Sequence, residues 1–486
     1  MKLIKTVVTI FILLIAIVGH SQQSIVFEKT YRTETDDTVI MALTGAQTSD
    51  GGYLLGGYAA YGMYLSQMMF FKIDSVGNYQ WKKMYGSLPT GSNMIKDMEP
   101  CGDGTFICCG EGTFSTAGEL GDLKPNNIII MRIDENANII WYKEFDTGAM
   151  EDLVEVSVSD TGYICVGSTA TDDKYTDNLL WITGDLDGIY SNTNILNYGY
   201  MSQHFRGVAK MPDGNFVIGG HNWRNSFLFK VTPEGDTLQT MVLGEEYPSQ
   251  RAVDDVGYTN KIILCGSYIE DSHYVKVDPF YSFCDMNFEN IEYSFYEHEN
   301  ELQYSYSQKI VTANDNSFLV VGSKRTSDRQ EDFWLKRHDS NGQLLWKRYV
   351  GGESLEGLRD VIKTDDNGYL IIGESESFNQ YVSMYIVKMD SLGLGNYTSP
   401  VENYIINNNE FLIYPNPAND IVCIEFENNK TNYGIEIFDI SGRQVLKRFS
   451  YDYQNYINID NLKNGLYMVR IIHGNNSYQS KLIINH

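Results

Sequence analysis

The sequence predicts an all-β protein, a seven-bladed β-propeller followed by a small immunoglobulin-like β-sandwich. Three observations carry this prediction: one apolar segment ending in glycine recurs seven times, turn sequences separate the copies, and residues 411–486 show a different strand pattern. The chain has 486 residues, of which 43% are hydrophobic and 13% aromatic. A chain of this composition can bury enough apolar surface to offset the entropy cost of folding. Its length is greater than that of a domain built around one hydrophobic core.

The first 21 residues are predicted to be a secretory signal peptide. Lys2 and Lys5 precede an apolar run at residues 7–18, and small residues then provide a cleavage site after Ser21. The run is short for a bilayer span, so a membrane anchor is the less favoured alternative. No cysteine stands at the cleavage site, and no later segment is long and apolar enough to be a stable membrane span.

The net charge narrows the classes of binding partner, and the cysteine content indicates whether disulfides stabilise the fold. The chain has 63 acidic and 37 basic residues, for a net charge of -26. A field of that sign repels phosphate backbones and anionic lipids, which excludes nucleic acid and membrane surfaces as partners. Seven cysteines at irregular spacing do not indicate a disulfide scaffold.

The repeated segment begins with an aromatic or aliphatic residue and ends with Gly four residues later. The seven copies are Tyr53/Gly57, Phe106/Gly110, Tyr163/Gly167, Phe216/Gly220, Ile262/Gly266, Phe318/Gly322 and Tyr369/Gly373. The apolar runs are continuous, which indicates strands covered on both faces.

A second strand and a hairpin turn follow most copies. The turns and the Trp four residues beyond them are Asp74/Gly77/Trp81, Asp134/Ala137/Trp141, Asp339/Gly342/Trp346 and Asp390/Gly393, the last without a Trp. Asp caps its own turn and Gly supplies the positive φ. Each unit therefore reads as four short strands, and four-stranded units at this spacing are typical of a β-propeller.

The propeller is predicted to span residues 22–396 and to close through its first strand. The seventh unit lacks its final strand, and Phe27 with Tyr31 matches the pattern of Trp81 with Tyr85. We therefore expect residues 24–31 to complete the last blade and to remove the exposed edges.

Residues 397–410 read as a linker, and residues 411–486 as a small sandwich of short strands. An immunoglobulin-like ligand-binding module is the alternative for this tail. The tail contains a series of characteristic residues, in order Pro415, Asn416, Pro417, Ala418, Gly442, Arg443, Gly465 and Tyr467. With these residues, the tail resembles the type A C-terminal sorting domain of the type IX secretion system of Bacteroidetes.

This resemblance implies export in two steps. The signal peptide would direct the chain to the periplasm, and the tail would direct it through the type IX secretion machinery. A sortase-like peptidase would then remove the tail, leaving the cargo released or attached to surface lipopolysaccharide. The repeats also resemble propeller repeats of secreted proteins of the same bacteria, which implies architecture and not activity.

No catalytic constellation is predicted. The Asp-to-Gly and Gly-to-Trp spacings do not match the Asp boxes of sialidases, and no carboxylate pair is marked out for glycoside hydrolysis. Cys108 and Cys109 could be compared with the vicinal disulfide of quinoproteins, but they occupy the middle of a strand and are read as small buried residues.

No cofactor is predicted, and a Ca²⁺ site is the less favoured alternative to solvated turn aspartates. The oxygen donors considered are Asp172, Asp173, Asp177, Asp185 and Asp187. The histidines show no zinc-ligand spacing.

The residue after each repeat glycine offers a candidate ligand face. Tyr58, Glu111, His221 and Glu374 stand at these positions, and serines occupy the other three. Propeller symmetry would place them around one mouth of the channel; alternatively they are only the polar ends of core strands. The leading function is a secreted or cell-surface interaction protein that binds a glycan or protein. The alternative is a secreted propeller enzyme that acts on polysaccharide.

Overall fold

The computed structural model describes residues 26–32, 38–61, 66–85, 93–112, 127–145, 151–170, 177–197, 203–222, 225–244, 250–269, 277–296, 304–327, 330–377, 382–394, 404–405, 411–414, 418–426, 433–440, 443–450, 454–473 and 476–485. The predicted signal peptide lies outside these residues. All described elements are β-strands, so the predicted all-β class is confirmed. Across the described ranges, the chain forms no helix of the length and apolar character needed to cross a membrane.

The repeat region forms seven antiparallel sheets in a propeller-like arrangement. Sheet 1 contains β2 (Thr38–Gln47), β3 (Tyr53–Tyr61), β4 (Ser66–Ile73) and β5 (Tyr79–Tyr85); sheet 2 contains β6 (Met94–Pro100), β7 (Thr105–Gly112), β8 (Asn127–Asp134) and β9 (Ile139–Phe145). Sheet 3 contains β10 (Glu151–Val158), β11 (Gly162–Ala170), β12 (Asp177–Asp185) and β13 (Ser191–Leu196); sheet 4 contains β14 (His204–Lys210), β15 (Phe216–His221), β16 (Asn225–Val231) and β17 (Thr237–Gly244).

The remaining three sheets repeat the same order. Sheet 5 contains β18 (Gln250–Tyr258), β19 (Ile262–Ile269), β20 (Val277–Cys284) and β21 (Glu292–Phe295); sheet 6 contains β22 (Tyr304–Thr312), β23 (Phe318–Ser327), β24 (Gln330–His338) and β25 (Leu344–Val350). Sheet 7 contains β26 (Glu356–Lys363), β27 (Tyr369–Ser375), β28 (Ser383–Met389) and, at its outer edge, β1 (Phe27–Tyr31).

The middle strands of each sheet are apolar on both faces because a neighbouring sheet covers each face. Between sheets 1 and 2, Leu54 and Phe70 of sheet 1 pack with Cys108 and Met131 of sheet 2, and all four side chains are fully buried. Similar clusters lie between the other sheets. The continuous apolar runs of the repeat thus follow from this two-sided burial.

The turn after the third strand has the predicted capping geometry. In sheet 1, Oδ1 of Asp74 accepts the backbone N–H groups of Val76 and Asn78 at 3.0 and 2.7 Å, and Gly77 has a φ of 81°. The variant turn with Ala137 has the same bonds to Asp134 and a φ of 55° at the alanine. The aspartate therefore fixes the turn even where glycine is absent.

The innermost strands of successive sheets pack against one another in a circle. β2 lies against β6, and the contacts continue through β10, β14, β18 and β22 to β26, which lies against β2 again. β1 pairs antiparallel with β28, with Phe27 opposite Lys388 and Tyr31 opposite Met384. The start of the described chain is therefore the outer strand of sheet 7.

β1 contacts sheet 1 in the way that β5 contacts sheet 2. The hydroxyl of Tyr31 donates to the carbonyl of Gly77 at 2.5 Å, and the hydroxyl of Tyr85 donates to the carbonyl of Ala137 at 2.6 Å. The ring of Phe27 lies on Gly77, where any Cβ would be within 2.8 Å of it. The two outer strands are thus equivalent in contacts as well as in sequence.

The tail forms two further sheets around one core. β30 (Phe411–Tyr414), β31 (Ile421–Phe426) and β34 (Gln454–Asn458) form a three-stranded sheet. β32 (Tyr433–Asp439), β33 (Gln444–Ser450), β35 (Gly465–His473) and β36 (Asn476–Ile484) form a four-stranded sheet in the order β33-β32-β35-β36. A short strand before the tail, β29 (Tyr404–Ile405), pairs with β25 of sheet 6.

Candidate functional site: the central channel and its upper mouth

The seven innermost strands enclose a channel with a volume of about 560 Å³. Every one of its lining residues belongs to an innermost strand or to the turn that follows it. That volume lies within the range of small-molecule sites in proteins.

Each innermost strand has a β-bulge at the same level of the channel. The residue immediately after the bulge is here called the ring position, and the seven ring positions are Thr44, Asp97, Glu155, Gly207, Asp255, Lys309 and Asp360. Bulges re-aim side chains and are common beside functional sites. Here they place four carboxylates and one ammonium at one level of the channel.

The ring carboxylates join neighbouring sheets through backbone N–H groups. Asp97 accepts from the N–H of Val156 in sheet 3 at 2.8 Å and from the hydroxyl of Thr44 in sheet 1 at 2.9 Å. Glu155 accepts from the N–H of Val208 in sheet 4 at 2.8 Å.

Asp255 makes the same kind of link between sheets 5 and 6. Its Oδ2 accepts from the N–H of Ile310 in sheet 6 at 2.7 Å. The ring therefore ties innermost strands together across sheet boundaries, with charge-assisted hydrogen bonds.

Lys309 is the one cation at the ring positions. Its Nζ lies 2.6 Å from Oε1 of Glu155, which belongs to a sheet on the far side of the ring. Burial alone would lower the pKa of Lys309, but the attraction of Glu155, Asp255 and the other ring carboxylates outweighs it and raises that pKa well above its usual value. The ammonium is therefore held charged at the centre of an acidic ring.

Confinement raises the pKa of three channel carboxyl groups, those of Asp255, Asp360 and Glu99. Burial raises the pKa of Asp255 and of Asp360 to about 6, and Lys309 limits the increase in both. Glu99 reaches the solvent of the channel, yet the surrounding sheets displace bulk water and raise its pKa to about 8, with Asp97 adding to the shift. At neutral pH, Glu99 therefore keeps its proton far more readily than an ordinary glutamate does.

The upper mouth is the end of the channel at which the second strands end. The predicted face residues Tyr58, Glu111, His221 and Glu374 stand at equivalent register there, each opposite the residue two before a bulge. Tyr58, Glu111 and Glu374 lie close together. The charges of Glu374 and Lys96 act on the pKa of Tyr58, and Nζ of Lys96 lies 2.9 Å from Oε1 of Glu111.

The bulged residues supply the partners of this face. Arg359 pairs with Glu374 at 2.8 Å, and Lys96 contacts Asp152 of sheet 3 at 3.1 Å as well as Glu111. Burial is the main cause that raises the pKa of Tyr58 and that of Glu111. The result is a half-buried rim of alternating charges beside a tyrosine.

His221 lies apart from the other three. Its Nε2 is 3.6 Å from Oδ1 of Asp254, the bulged residue of sheet 5. In sheet 3, which lies between Glu111 and His221 around the mouth, the hydroxyl of Ser168 lies 3.1 Å from Nδ1 of His204 in sheet 4. The rim therefore continues around the mouth with polar contacts between adjacent sheets.

The residues considered for cofactors have other contacts. Asp185 caps a turn, accepting the backbone N–H groups of Ile189 and Tyr190 at 2.8 and 3.0 Å. Asp172 and Asp173 lie outside the described residues, and no group of three metal-ligating side chains is found in the part of the chain that the structure describes. Cys108 and Cys109 are fully buried free thiols.

The sequence interpretation missed the ring positions. In the sequence, the ring position lies nine residues before the first residue of the repeat segment in five of the sheets. The distance is eight residues for Glu155 and seven for Asp255. Because the occupants range from glycine to lysine, no motif marks this position. The bulges that create it become visible only from the strand register.

The predicted sorting residues fall partly within the described tail. Ala418 is buried, and its N–H donates to the carbonyl of Ile483 at 2.8 Å. The hydroxyl of Tyr467 donates to the carbonyl of Lys463 at 2.8 Å. Arg443 pairs with Asp439 at 3.1 Å, and Gly465 begins β35, whereas Pro415, Asn416, Pro417 and Gly442 lie outside the described residues.

Comparison with solved structures finds several distant likenesses. The β-propeller domain of the Trilobed protease from Pyrococcus furiosus is 11% identical, with a TM-score of 0.39, over 80% of this chain and 95% of that one. A protein of unknown function from Dyadobacter fermentans is 9% identical, with a TM-score of 0.43, over 74% and 97%. A fungal alcohol oxidase in complex with copper is 9% identical, with a TM-score of 0.43, over 95% and 99%.

All three TM-scores are below 0.5, so the fold assignment depends on the strand pairing described above. No curated protein matches the chain. A family model described as "Secretion system C-terminal sorting domain" matches residues 412–485, the part that forms the two tail sheets. The chain is therefore a secreted propeller-like protein whose residues 412–485 belong to the C-terminal sorting domains of the type IX secretion system.

Proposed function

We propose that the seven sheets are the blades of a closed seven-bladed β-propeller at residues 22–396. In this proposal, residues 24–31 complete the last blade, 397–410 form a linker, and 411–486 form a small immunoglobulin-like β-sandwich. The circular order of the innermost strands and the pairing of β1 with β28 support the closed ring. The two tail sheets, which share one core, support the sandwich.

We propose that this propeller is a secreted or cell-surface interaction protein. Its ligand, an extracellular glycan or protein, would bind at the upper mouth through Tyr58, Glu111, His221 and Glu374. The observation that carries this proposal is the common register of these side chains around one channel mouth, with paired cations between them. A rim with both charges and a tyrosine offers hydrogen bonds and a stacking surface to a polar ligand.

The test is binding to an array of bacterial and host polysaccharides and extracellular proteins. The purified chain is compared with Glu374→Gln, which removes the charge that faces Arg359 at the upper mouth. Asp365→Asn is the matched control, because Asp365 is an exposed carboxylate at the opposite end of the channel. Loss of a binding signal in Glu374→Gln alone supports the proposal, and equal signals in the two variants contradict it.

A second candidate function is a propeller enzyme that acts on polysaccharide, and Glu99 is the observation that favours it. A carboxylic acid that stays protonated near neutral pH is what a glycosidase uses to protonate its leaving group. The ring carboxyl groups beside Glu99, such as Asp97, would supply the second carboxyl group that the reaction also needs. Hydrolysis of a polysaccharide that Glu99→Gln abolishes would favour this candidate over binding.

Export through the type IX system would begin with cleavage of residues 1–21 and end with removal of the tail by a sortase-like peptidase. The host would be a member of the Bacteroidetes, and the mature protein would be released or anchored at the cell surface. Mass spectrometry of the secreted protein tests both cleavages. A secreted form that begins at Gln22 and ends before Phe411 is the expected result, and intact termini would contradict the scheme.

A further inference from the structure

The four-stranded sheet of the tail has one face in the core and one face turned outward. Ile435, Ile437, Val469, Ile471 and Leu482 are fully or almost fully buried against the other sheet. Because side chains alternate along a strand, the residues between them lie on the opposite face. The outer tail face, as named here, comprises Glu436, Phe438, Lys447, Phe449, Leu466, Met468, Arg470, Ile472 and Ile483.

This outward face carries large apolar side chains where a solvated sheet carries polar ones. The exposed fraction is 63% for Phe449, 45% for Leu466, 44% for Ile483 and 37% for Met468. Leu466 stands opposite Ile483 across the strand pair, so these side chains are neighbours and not scattered. Grouped exposed apolar residues mark protein interaction surfaces.

A charged row crosses the middle of the same face. Glu436 lies between Lys447, at 2.9 Å, and Arg470, whose Nε donates to it at 2.8 Å. The two cations cover the carboxylate, which is only 3% exposed, and their hydrogen bonds lower its pKa, with Lys447 having the larger effect. The row is therefore ordered before any partner arrives, and it leaves an excess of positive charge.

The two cations also lie over aromatic rings of the face. The guanidinium of Arg470 is 4.8 Å from the ring centre of Phe438, and Nζ of Lys447 is 5.7 Å from that of Phe449. These cation–π contacts hold the rings and the charges in one fixed surface. A pre-ordered surface loses less entropy on binding.

The charge of this face differs from that of the whole chain. Residues 411–486 contain seven basic and seven acidic residues, whereas the chain as a whole has a net charge of -26. A partner with exposed carboxylates is repelled by the rest of the chain but attracted to the outer tail face. The complementary surface is therefore an apolar patch of a protein rimmed by acidic side chains.

We propose that the outer tail face is the surface by which a protein of the type IX export machinery, with an apolar patch rimmed by carboxylates, holds this chain. The sorting-domain match makes the export machinery the partner that this tail must meet. The proposal does not depend on a ligand at the upper mouth.

The test compares export of full-length variants in a host with a type IX system. The face variant is Phe449→Thr with Met468→Thr, in which threonine keeps the strand propensity. The matched control is Ile421→Thr with Tyr456→Thr, because these side chains are 49% and 62% exposed on the three-stranded sheet of the same tail. A third variant, Lys447→Met, removes one positive charge and keeps the length of the side chain.

The face variant is expected to lower the exported fraction about tenfold, with the protein accumulating in the periplasm, as for loss of one or two central interface residues. Lys447→Met is expected to lower it by a smaller factor, and the control should be exported like the parent chain. Folding of each purified variant is checked by its thermal midpoint.

Three results would overturn the proposal. The first is export of the folded face variant at the parent level. The second is equal retention of the face variant and the control, which would mean that exposed apolar area in general matters. The third is a purified chain that dimerises through this face, with the dimer lost in Phe449→Thr with Met468→Thr, which would assign the face to a second copy.

Discussion

Lys309 shows how one residue can determine the character of a whole channel. It pairs with Glu155 and also offsets the charges of Asp255 and Asp360, which line the same level. Without it, ring carboxylates that accept backbone N–H groups would repel one another in a confined space. The lysine therefore has a structural role in addition to any effect on ligands.

Replacing Lys309 by methionine should destabilise the protein by about 3 kcal/mol at pH 8, because it leaves a buried carboxylate without its partner. The deficit should shrink toward pH 5, since Asp255 and Asp360, whose pKa is about 6, take up protons and their repulsion is removed. Denaturant unfolding at several pH values measures this. Lys210→Met is the control, because the Lys210–Asp160 pair is exposed to solvent and should contribute far less to stability. An equal loss in both variants at all pH values would contradict the account.

Glu99 should make the protein less stable as the pH rises from about 4.5 to about 8. Between its ordinary pKa of 4.5 and its folded value of about 8, the folded state keeps a proton that the unfolded state has lost. Glu99→Gln mimics the protonated form, so its thermal midpoint should exceed that of the parent by about 2 °C or more at pH 8 and match it at pH 4. Parallel curves for parent and variant would contradict the raised pKa.

At the scale of strands and turns, the same kind of hydrogen bond recurs at every contact between neighbouring sheets of the repeat region. A side chain of each sheet donates to a carbonyl of the turn after the third strand of the next sheet. The seven pairs are Tyr31 to Gly77, Tyr85 to Ala137, Trp141 to Leu186, Trp181 to Gly235, Gln239 to Asn287, Tyr281 to Gly342 and Arg348 to Gly393. The contact between sheets 7 and 1 uses the same device as the other six.

Tyr31→Phe and Tyr85→Phe should each cost about 1 kcal/mol of unfolding free energy, because each removes the hydroxyl that donates to the carbonyl of a buried turn residue, Gly77 or Ala137. Tyr31 belongs to the contact that joins the two ends of the repeat region, and Tyr85 to an internal one. Urea unfolding of both variants measures the difference. A neutral Tyr31→Phe beside a destabilising Tyr85→Phe would show that β1 does not hold sheet 7 to sheet 1.

The strands and turns were the part that the sequence could predict. Aspartate caps and positive-φ glycines give local signals, and four of the turns were identified from them. The turn at Asp285 was not, because Phe288 adopts a φ of 58° where the pattern expects glycine. In sheet 3 the donor to the next turn is Trp181 of the third strand, so no Trp marks the outer strand there.

The candidate site was predictable only in part. The upper mouth residues follow the repeat glycines, so symmetry alone placed Tyr58 and Glu374 at one level. The ring positions depend on a one-residue bulge, which shifts the register without any fixed residue type. Glu155 and Lys309 are 154 residues apart in sequence, and only the circular packing brings them into contact.

On the scale of the whole molecule, charge and export are divided between the two parts of the chain. The strong negative charge belongs to residues outside the tail, while the tail is balanced and presents cations on one face. This division keeps the exported region soluble and gives the sorting domain a surface of different character. In the closed ring proposed above, both ends of the repeat region must be present before the ring can close.

Hydrogen exchange of the backbone amides tests the closed ring most directly. The full chain is compared with a chain that lacks residues 22–31, and exchange is followed by mass spectrometry. If β1 closes the ring, the deletion should remove protection from Ser383–Met389 and from Thr38–Gln47, while Phe216–His221 in sheet 4 stays protected. Unchanged protection in Ser383–Met389 and Thr38–Gln47 would contradict closure of the ring by this strand.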